Sequence, residues 1–416
     1  MLGPGTTDAG TDDNGHGTGE SANLFATAPD CTLKPVKAAT ASGALVNMTA
    51  AFNAAVALGP DVITNSWSAD IRSGPLSAAD QARAAAVSAA WAAGIVVVFA
   101  AGNGHWGFPG QHPDVIAVGG VAIDQSGGLR ASDYASGFDS QIYPGRRVPD
   151  VSGLVGLLPK AELIMLPVPP GSAIDRDLAG GTYPVGDETA PDDGWAVFSG
   201  TSAATPQVAG VCALLKQACP RLGPAEVREL LTTTARDVTV GTNHPNFGNP
   251  AVPGPDTATG AGLVDAQEAV LLAQRRCGTT AAGDGPLRPD DVAMTLRDGT
   301  GGLVATVVIR PASGRSLDDA PPITADTLEV LRPDPAAVEA VTRELTAAGF
   351  AVGPLVGIGM AIAGPADAFA AYFGTGVETA AAGDSSAAGA RELPVPEALA
   401  GAVHAVTFEP PVEPVS

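Results

Sequence analysis

The chain has 416 residues, with 22 Lys and Arg against 44 Asp and Glu, a net charge of −22 and a pI of about 4.4. That charge excludes a nucleic-acid backbone or an anionic membrane surface as an expected partner. A hydrophobic content of 45% over this length is enough for an α/β unit of about 250 residues and a smaller second domain.

The opening MLGPGTTDAG has neither the charged start nor the apolar core of a signal peptide, so the residues shown encode no export and the compartment stays unassigned. From residue 16 to about 275, strand-like and helix-like runs alternate. TLKPVKA, DVITNSW, GIVVVFA and DVIAVGG are predicted buried strands; TAAFNAAVALG, SAADQARAAAVSAAWAA and the segment after Ser202 are predicted helices. The long apolar run 84–102 approaches membrane-span length but changes from Ala-rich to β-branched at Gly94, so it divides into helix, turn and strand. This alternation predicts a mostly parallel sheet with helices on both faces, and functional residues on loops at the strands' C-terminal edge. Tyr143 to Asp193 is rich in Pro, Gly and Asp and is expected to be irregular. GAGLVDAQEAVLLAQRR, 260–276, is expected to close the domain with a helix.

The domain is therefore expected to span 1–278, followed by a polar linker at 279–300 and a second unit at 301–416. In that unit GLVATVVIR is strand-like, and AAVEAVTRELTAAGF places Val338, Val341 and Leu345 at helical spacing before Gly349. Val356, Ile358, Met360 and Ile362 alternate as a half-buried strand. A helix after Pro365 buries Phe369, Tyr372 and Phe373, and AVHAVTF supplies a last strand. The order fits a small ferredoxin-like βαββαβ sandwich. Cys31, Cys212, Cys219 and Cys277 show no metal-type spacing, and Cys212 and Cys219 sit about 10 Å apart along a helix, beyond disulfide reach, so buried free thiols are expected.

Three segments carry chemistry. In FSGTSAATPQVAG a small-residue turn brings Ser202 to the first position of a helix, whose unpaired N–H groups and dipole favour the negative charge formed during attack on a carbonyl; Pro206 is expected in the first turn, where no N–H partner is lost. In VVVFAAGNGHWG, Asn103 lies between two glycines after a buried strand, a place from which its amide can act as an oxyanion donor or simply make a left-handed bend. In NGHGTGE, His16 is a candidate base for Ser202, whereas His105, His112, His244 and His404 read as solvated. The order His, Asn, Ser, each at a loop junction, is what separates these residues from ordinary turns and caps.

GHGT, AAGN and SGTSAATP, with PDVIAVGG, RRVPDVSG and GAGLVDA at matching relative places, resemble the subtilisin-like serine peptidases over nearly all of residues 12–276. The resemblance implies peptide-bond hydrolysis with Ser202 as nucleophile, His16 as general base and Asn103 as an oxyanion-hole side chain. It places Ser66, Trp67 and Ser68 along the substrate backbone and first specificity pocket, with plain core packing the equal alternative for Trp67. It implies polypeptide substrates and no cofactor. Calcium is common in the family, but the acidic loop around Asp175, Asp177 and Asp187 reads equally as solvated, so no metal is assigned.

One part of that pattern is absent. The family's catalytic aspartate ends a core strand some thirty or more residues before the histidine; here Asp8, Asp12 and Asp13 lie too close to His16, in a polar loop. Loss of that acid costs about 10⁴-fold in turnover, a figure that includes subtilisin itself, the namesake of the family resembled. Three readings follow. An N-terminally incomplete chain, secreted in its full form, is the favoured one; a peptide-binding pseudoprotease is the second. In the third, Glu20 orients His16, since a spacing of four residues puts both on one helix face; sedolisin relatives draw their acidic pair from one helix at the same separation. A sedolisin outright is disfavoured because His16 and Asn103 stand where those enzymes carry Glu and Asp, so a pH optimum near neutral or above is expected. Residues 344–375 resemble the pro-domains of subtilisin-like and sedolisin-type peptidases, which implies an intramolecular inhibitor or folding aid docking on the catalytic cleft, with PPVEPVS as an extended tail.

Overall fold

The computed structural model describes residues 10–38, 47–161, 163–177, 179–278, 302–318, 320–374 and 391–409. Asp8, the 279–300 connector and the PPVEPVS tail lie outside the described residues. The first unit runs α1 (His16–Thr27), α2 (Met48–Ala57), β1 (Val62–Asn65), β2 (Ala69–Asp70), α3 (Ala78–Ala92), β3 (Val96–Ala100), β4 (Gly107–Phe108), β5 (Ile116–Ile123) and β6 (Leu129–Ala131). It continues with β7 (Phe138–Asp139), β8 (Arg147–Val148), β9 (Val151–Leu154), β10 (Ile164–Pro167), α4 (Ala173–Asp177), β11 (Trp195–Phe198), α5 (Gly200–Ala218), α6 (Pro224–Thr234) and α7 (Ala266–Cys277).

The fold is α/β. β1, β3, β5 and β9 are mutually parallel in that spatial order, and β6 adds antiparallel to the end of β5. The β-branched run of β3 is fully buried along its whole length, as expected of a parallel strand covered on both faces. α3 starts where Ser77 accepts the Asp80 N–H and stops before Gly94, whose φ of +85° reverses the chain into β3. Among the described residues no strand pairs with the other edge of β1. β1, α1, α2 and the segment 28–38 line a cavity of about 1600 Å³.

Four expectations need correction. TLKPVKA is extended chain with an isolated bridge at Lys37, not a strand; its two lysines and Pro35 leave too little apolar alternation for a buried ladder position. The stretch 143–193 is less irregular than its composition suggests, because β9 within it belongs to the main sheet, paired parallel with β5. The thiols are not all free: Cys219 and Cys277 form a disulfide joining the ends of α5 and α7, while Cys31 and Cys212 remain free. His112 is fully buried instead of solvated.

The second unit runs β12 (Leu303–Ile309), α8 (Ala325–Leu328), a 3₁₀ turn (Glu329–Leu331), α9 (Pro335–Ala347), β13 (Ala351–Val352), β14 (Gly359–Gly364), α10 (Ala366–Phe373), β15 (Arg391–Leu393) and β16 (Val403–Phe408). Its antiparallel sheet has the order β13-β14-β12-β16-β15, the expected βαββαβ arrangement with β15 added at one edge. One sheet face buries Phe350, Phe369 and Phe373 under α9 and α10. The other face, with Val308, Ile358 and Ala405, shares a core with Ala78, Ala82 and Ala85 of α3. Backbones meet closely there: Gly357 has φ +64° and a Cβ on it would lie 2.5 Å from the Ala85 carbonyl.

Carboxylates cap helices in both directions across this contact. Glu409 Oε2 accepts the Thr49 N–H in the first turn of α2 (3.1 Å) and a bond from Arg83 Nη2 (3.1 Å), while Thr306 Oγ1 donates to Oε1 (3.0 Å). Asp114 Oδ2 accepts the Ala325 N–H at the start of α8 (2.6 Å) and the Ser88 hydroxyl (2.9 Å). Each unit thus satisfies helix-start N–H groups that the other leaves open.

Candidate active site

Ser199 is extended, Gly200 turns through φ +76°, and α5 begins. Ser202 is therefore the third helical residue, not the first, and Pro206 lies in the second turn, not the first. Pro206 has no N–H, so the Ser202 carbonyl loses its ordinary helical donor. Ser66 replaces it: Ser66 Oγ donates to Ser202 O at 3.0 Å. Ser202 Oγ in turn donates to Ser66 O at 3.3 Å. The predicted nucleophile and the predicted substrate-binding segment after β1 are thus tied together twice, and Ser202 is fully buried.

Asn103 follows β3 between Gly102 (φ +113°) and Gly104 (φ +90°). Its Oδ1 accepts both the Thr201 N–H and the Thr201 hydroxyl, each at 2.9 Å, and Thr201 Oγ1 accepts the Gly102 N–H at 3.2 Å. With the oxygen engaged twice, the amide is oriented and Nδ2 lies over Gly200, where an added Cβ would come within 2.5 Å of it. Thr201 is the residue that sequence reasoning passed over; its place between Gly200 and Ser202 was the available signal.

His16 is the first residue of α1. Asp12 holds that helix start: Oδ1 accepts the Gly15 N–H (2.9 Å), and Oδ2 accepts the Thr18 N–H and hydroxyl (both 2.8 Å). α1 runs beside α5 in the same direction, with the Phe198 ring filling the place of a side chain on Gly19, Asn23 Nδ2 donating to Ala203 O (2.6 Å), and Thr27 against Gly210. This register puts the His16 ring beside Phe198, 6.0 Å between centroids. Burial lowers the His16 pKa to about 4, with Asp12 partly opposing. Glu20 shares its helix face as predicted, Oε1 lying 3.6 Å from His16 Nε2, an ion-pair distance and not a hydrogen bond. Both Glu20 oxygens are buried without a hydrogen-bond partner, and burial pushes this carboxyl well above the usual range.

Trp67 falls on the packing side of its two readings. It is buried edge-on against Phe99 at 5.0 Å, with the Arg83 guanidinium over its ring. Ser68 Oγ meets His105 Nε2 at 2.7 Å, so His105 is also not a solvated loop histidine. Asp175 is fully buried and accepts the Gly171 and Gly194 N–H groups, and Asp187 accepts from Thr189 and Val197. These carboxylates staple backbone, and the described residues hold no group of three or more ligand-type side chains fit for a metal ion.

Comparison with known proteins finds relatives along most of the first unit. The family model described as "Subtilase family" matches residues 3–262. Alkaline elastase YaB of Bacillus sp. (strain YaB) is 30% identical over 274 residues, 62% of this chain and 56% of that protein. Subtilisin E of Bacillus subtilis (strain 168) is 29% identical over 250 residues, 56% of this chain and 53% of that protein. The chain thus spans about half the length of these two relatives. Among solved structures, the crystal structure of a lanthipeptide protease aligns with a TM-score of 0.46 at 23% identity, covering 64% of this chain and 78% of that one.

Proposed function

Because the chain belongs to the subtilase family, we propose that it is a serine endopeptidase acting on polypeptides. Ser202 attacks the scissile carbonyl, His16 takes its proton and returns it to the leaving amine, and the Asn103 amide with the Ser202 N–H receives the oxyanion. The observation that carries this reading is the Asn103 Oδ1 contact with Thr201, which sets a carboxamide donor at the helix start that holds Ser202. Ser66 and Ser68 border the substrate backbone. Glu20 takes the orienting role beside His16, supported by its 3.6 Å approach and by the absence of any competing hydrogen bond to its oxygens.

The second unit acts on this site from outside, as an intramolecular inhibitor or folding aid. What supports this part is the sheet face buried on α3 together with the Glu409 cap on α2, since α2 and α3 flank β1 and hence the Ser66 segment. The test is cleavage of an unfolded polypeptide by the full chain and by Ser202→Ala at pH 7 to 8. Hydrolysis, slowed where the second unit inhibits, is expected from the parent and not from the variant; equal hydrolysis, or none from either even after prolonged incubation in which the second unit can be cleaved away, would refute the assignment.

A further inference from the structure

Outside the Ser202 arrangement, another hydroxyl meets an imidazole. Ser68 Oγ lies 2.7 Å from His105 Nε2. The ring also bonds to the Asn103 backbone, and since that contact favours the protonated ring it is a ring N–H that donates to the Asn103 carbonyl. In the tautomer with the proton on Nδ1, Nε2 accepts the Ser68 hydroxyl. Ser136 fixes the backbone beneath: its Oγ accepts the Gly104 and His105 N–H groups (2.9 and 3.1 Å) and donates to His105 O (2.8 Å). Desolvation lowers the His105 pKa, with Asp70 opposing and His244 adding to the effect.

We infer that Ser68 and His105 form a second base–nucleophile pair, which makes Ser68 an acylation or phosphonylation site for electrophilic esters and fluorophosphonates reaching the Ser66–Ser68 segment. Ser68 Oγ bonds to the electrophilic carbon or phosphorus and its proton passes to Nε2. The bond to alkoxide or fluoride breaks, and that group leaves with the proton from His105. An acyl group is then hydrolysed by water with the same proton movements reversed. The Asn103 carbonyl fixes the tautomer, as the acid does in a triad, but being neutral it stabilises the imidazolium less, so the reaction at Ser68 is slow. Ser68 is 6% exposed and His105 only partly covered, whereas Ser202 is at 0%.

The inference stands apart from the Ser202 reading and is tested on the full chain carrying Ser202→Ala. After incubation with a fluorophosphonate probe, peptide mass mapping is expected to find the adduct on Ser68. Adding His105→Asn is expected to slow labelling about 100-fold, the contribution of a positioned base, and adding Ser68→Ala to abolish it. Thermal unfolding checks that each variant folds, and His105→Gln serves as the second base-less variant. An unlabelled Ser202→Ala chain, or Ser68 labelling that ignores the loss of His105, overturns the inference, whereas an adduct on Ser202 in the parent bears only on the first site.

Discussion

Gly200→Ala isolates the side chain proposed for the oxyanion site, Asn103, from its surroundings. At φ +76° an alanine in the left-handed region costs about 1–2 kcal/mol. Its Cβ would also stand 2.5 Å from Asn103 Nδ2 and 3.2 Å from Cγ and Oδ1, so the carboxamide must retreat by roughly 1 Å, a misplacement that costs about 10²-fold in rate. Loss of an oxyanion-hole donor outright costs about 10²–10³ in kcat, a range measured on a subtilisin, a member of this chain's own family. Steady-state hydrolysis of a peptide ester or amide should therefore show kcat falling about 100- to 1000-fold with KM nearly unchanged. The Tm should fall by about 2–4 °C for each kcal/mol of backbone strain. Asn103→Ala supplies the decisive comparison: if the methyl group acts through Asn103, the double variant is no slower than Asn103→Ala alone, within about twofold. A Gly200→Ala enzyme with parental kcat, or losses that multiply in the double variant, would refute the placement of Nδ2 in the oxyanion site.

Other outcomes follow from separate parts of the molecule. The Cys219–Cys277 bond closes a sequence separation of 58 residues, so replacing both by Ser should cost up to about 4 kcal/mol in urea unfolding; an unchanged midpoint would mean the ends of α5 and α7 are held without it. His112 is buried and neutral: its Nδ1 accepts the Asp114 N–H, its Nε2 contacts Ile323 O, and its pKa is lowered from 6.5 to about 3 by burial, with Arg146 in the same direction. A folded pKa below the unfolded one means that its contribution is intact above pH 6.5 and is lost as pH falls toward 3, by about 1.4 kcal/mol per pH unit. The raised pKa of Asp114 opposes this, and His112→Asn should flatten the stability profile in that window when followed by chemical denaturation. Glu409→Ala leaves Arg83, 2% exposed at its side chain, with Asp80 as its remaining ion-pair partner among the described residues; a loss of about 3–5 kcal/mol is expected, with hydrogen exchange rising first in α2. Glu20→Gln should lower kcat/KM at least about tenfold while Asp30→Asn leaves it unchanged; equal effects would remove Glu20 from the support of His16.

The sequence was most informative where chemistry and local geometry coincide. Ser202, Asn103 and His16 stand out because each sits beside glycines that a buried junction requires, and the structure accounts for those glycines individually: Gly200 under the Asn103 amide, Gly19 under Phe198. The parallel strands were legible for a simpler reason, since a run such as Val96–Ala100 has no polar face and must be covered on both sides. What stayed hidden depends on partners distant in the chain. Nothing near Pro206 says that the carbonyl it frees will be satisfied by Ser66, 136 positions from Ser202. His105 and His112 look like loop histidines until Ser68 and Ile323 are brought to them.

The same limit explains why the second unit could be recognised as a sandwich and expected to dock on the catalytic domain, but the helix that covers its sheet could not be named. Its alternating strand residues reveal one buried face under α9 and α10; the opposite face, with Val308, Ile358 and Ala405, is apolar as well. A sheet apolar on both faces needs a second cover. That cover is α3, whose Ala78, Ala82 and Ala85 leave room for the backbone at Gly357. The alanine-rich composition that suggested a buried helix was thus shaped by two neighbours, β3 on one side and the β12–β14–β16 face on the other. Bulky residues on α3 would suit the first contact and destroy the second. Ala85→Leu is therefore a sharper perturbation than its conservative chemistry suggests: it should loosen β14 from α3 while leaving the main sheet folded. A uniform loss of protection across both units in hydrogen exchange would contradict that two-sided role.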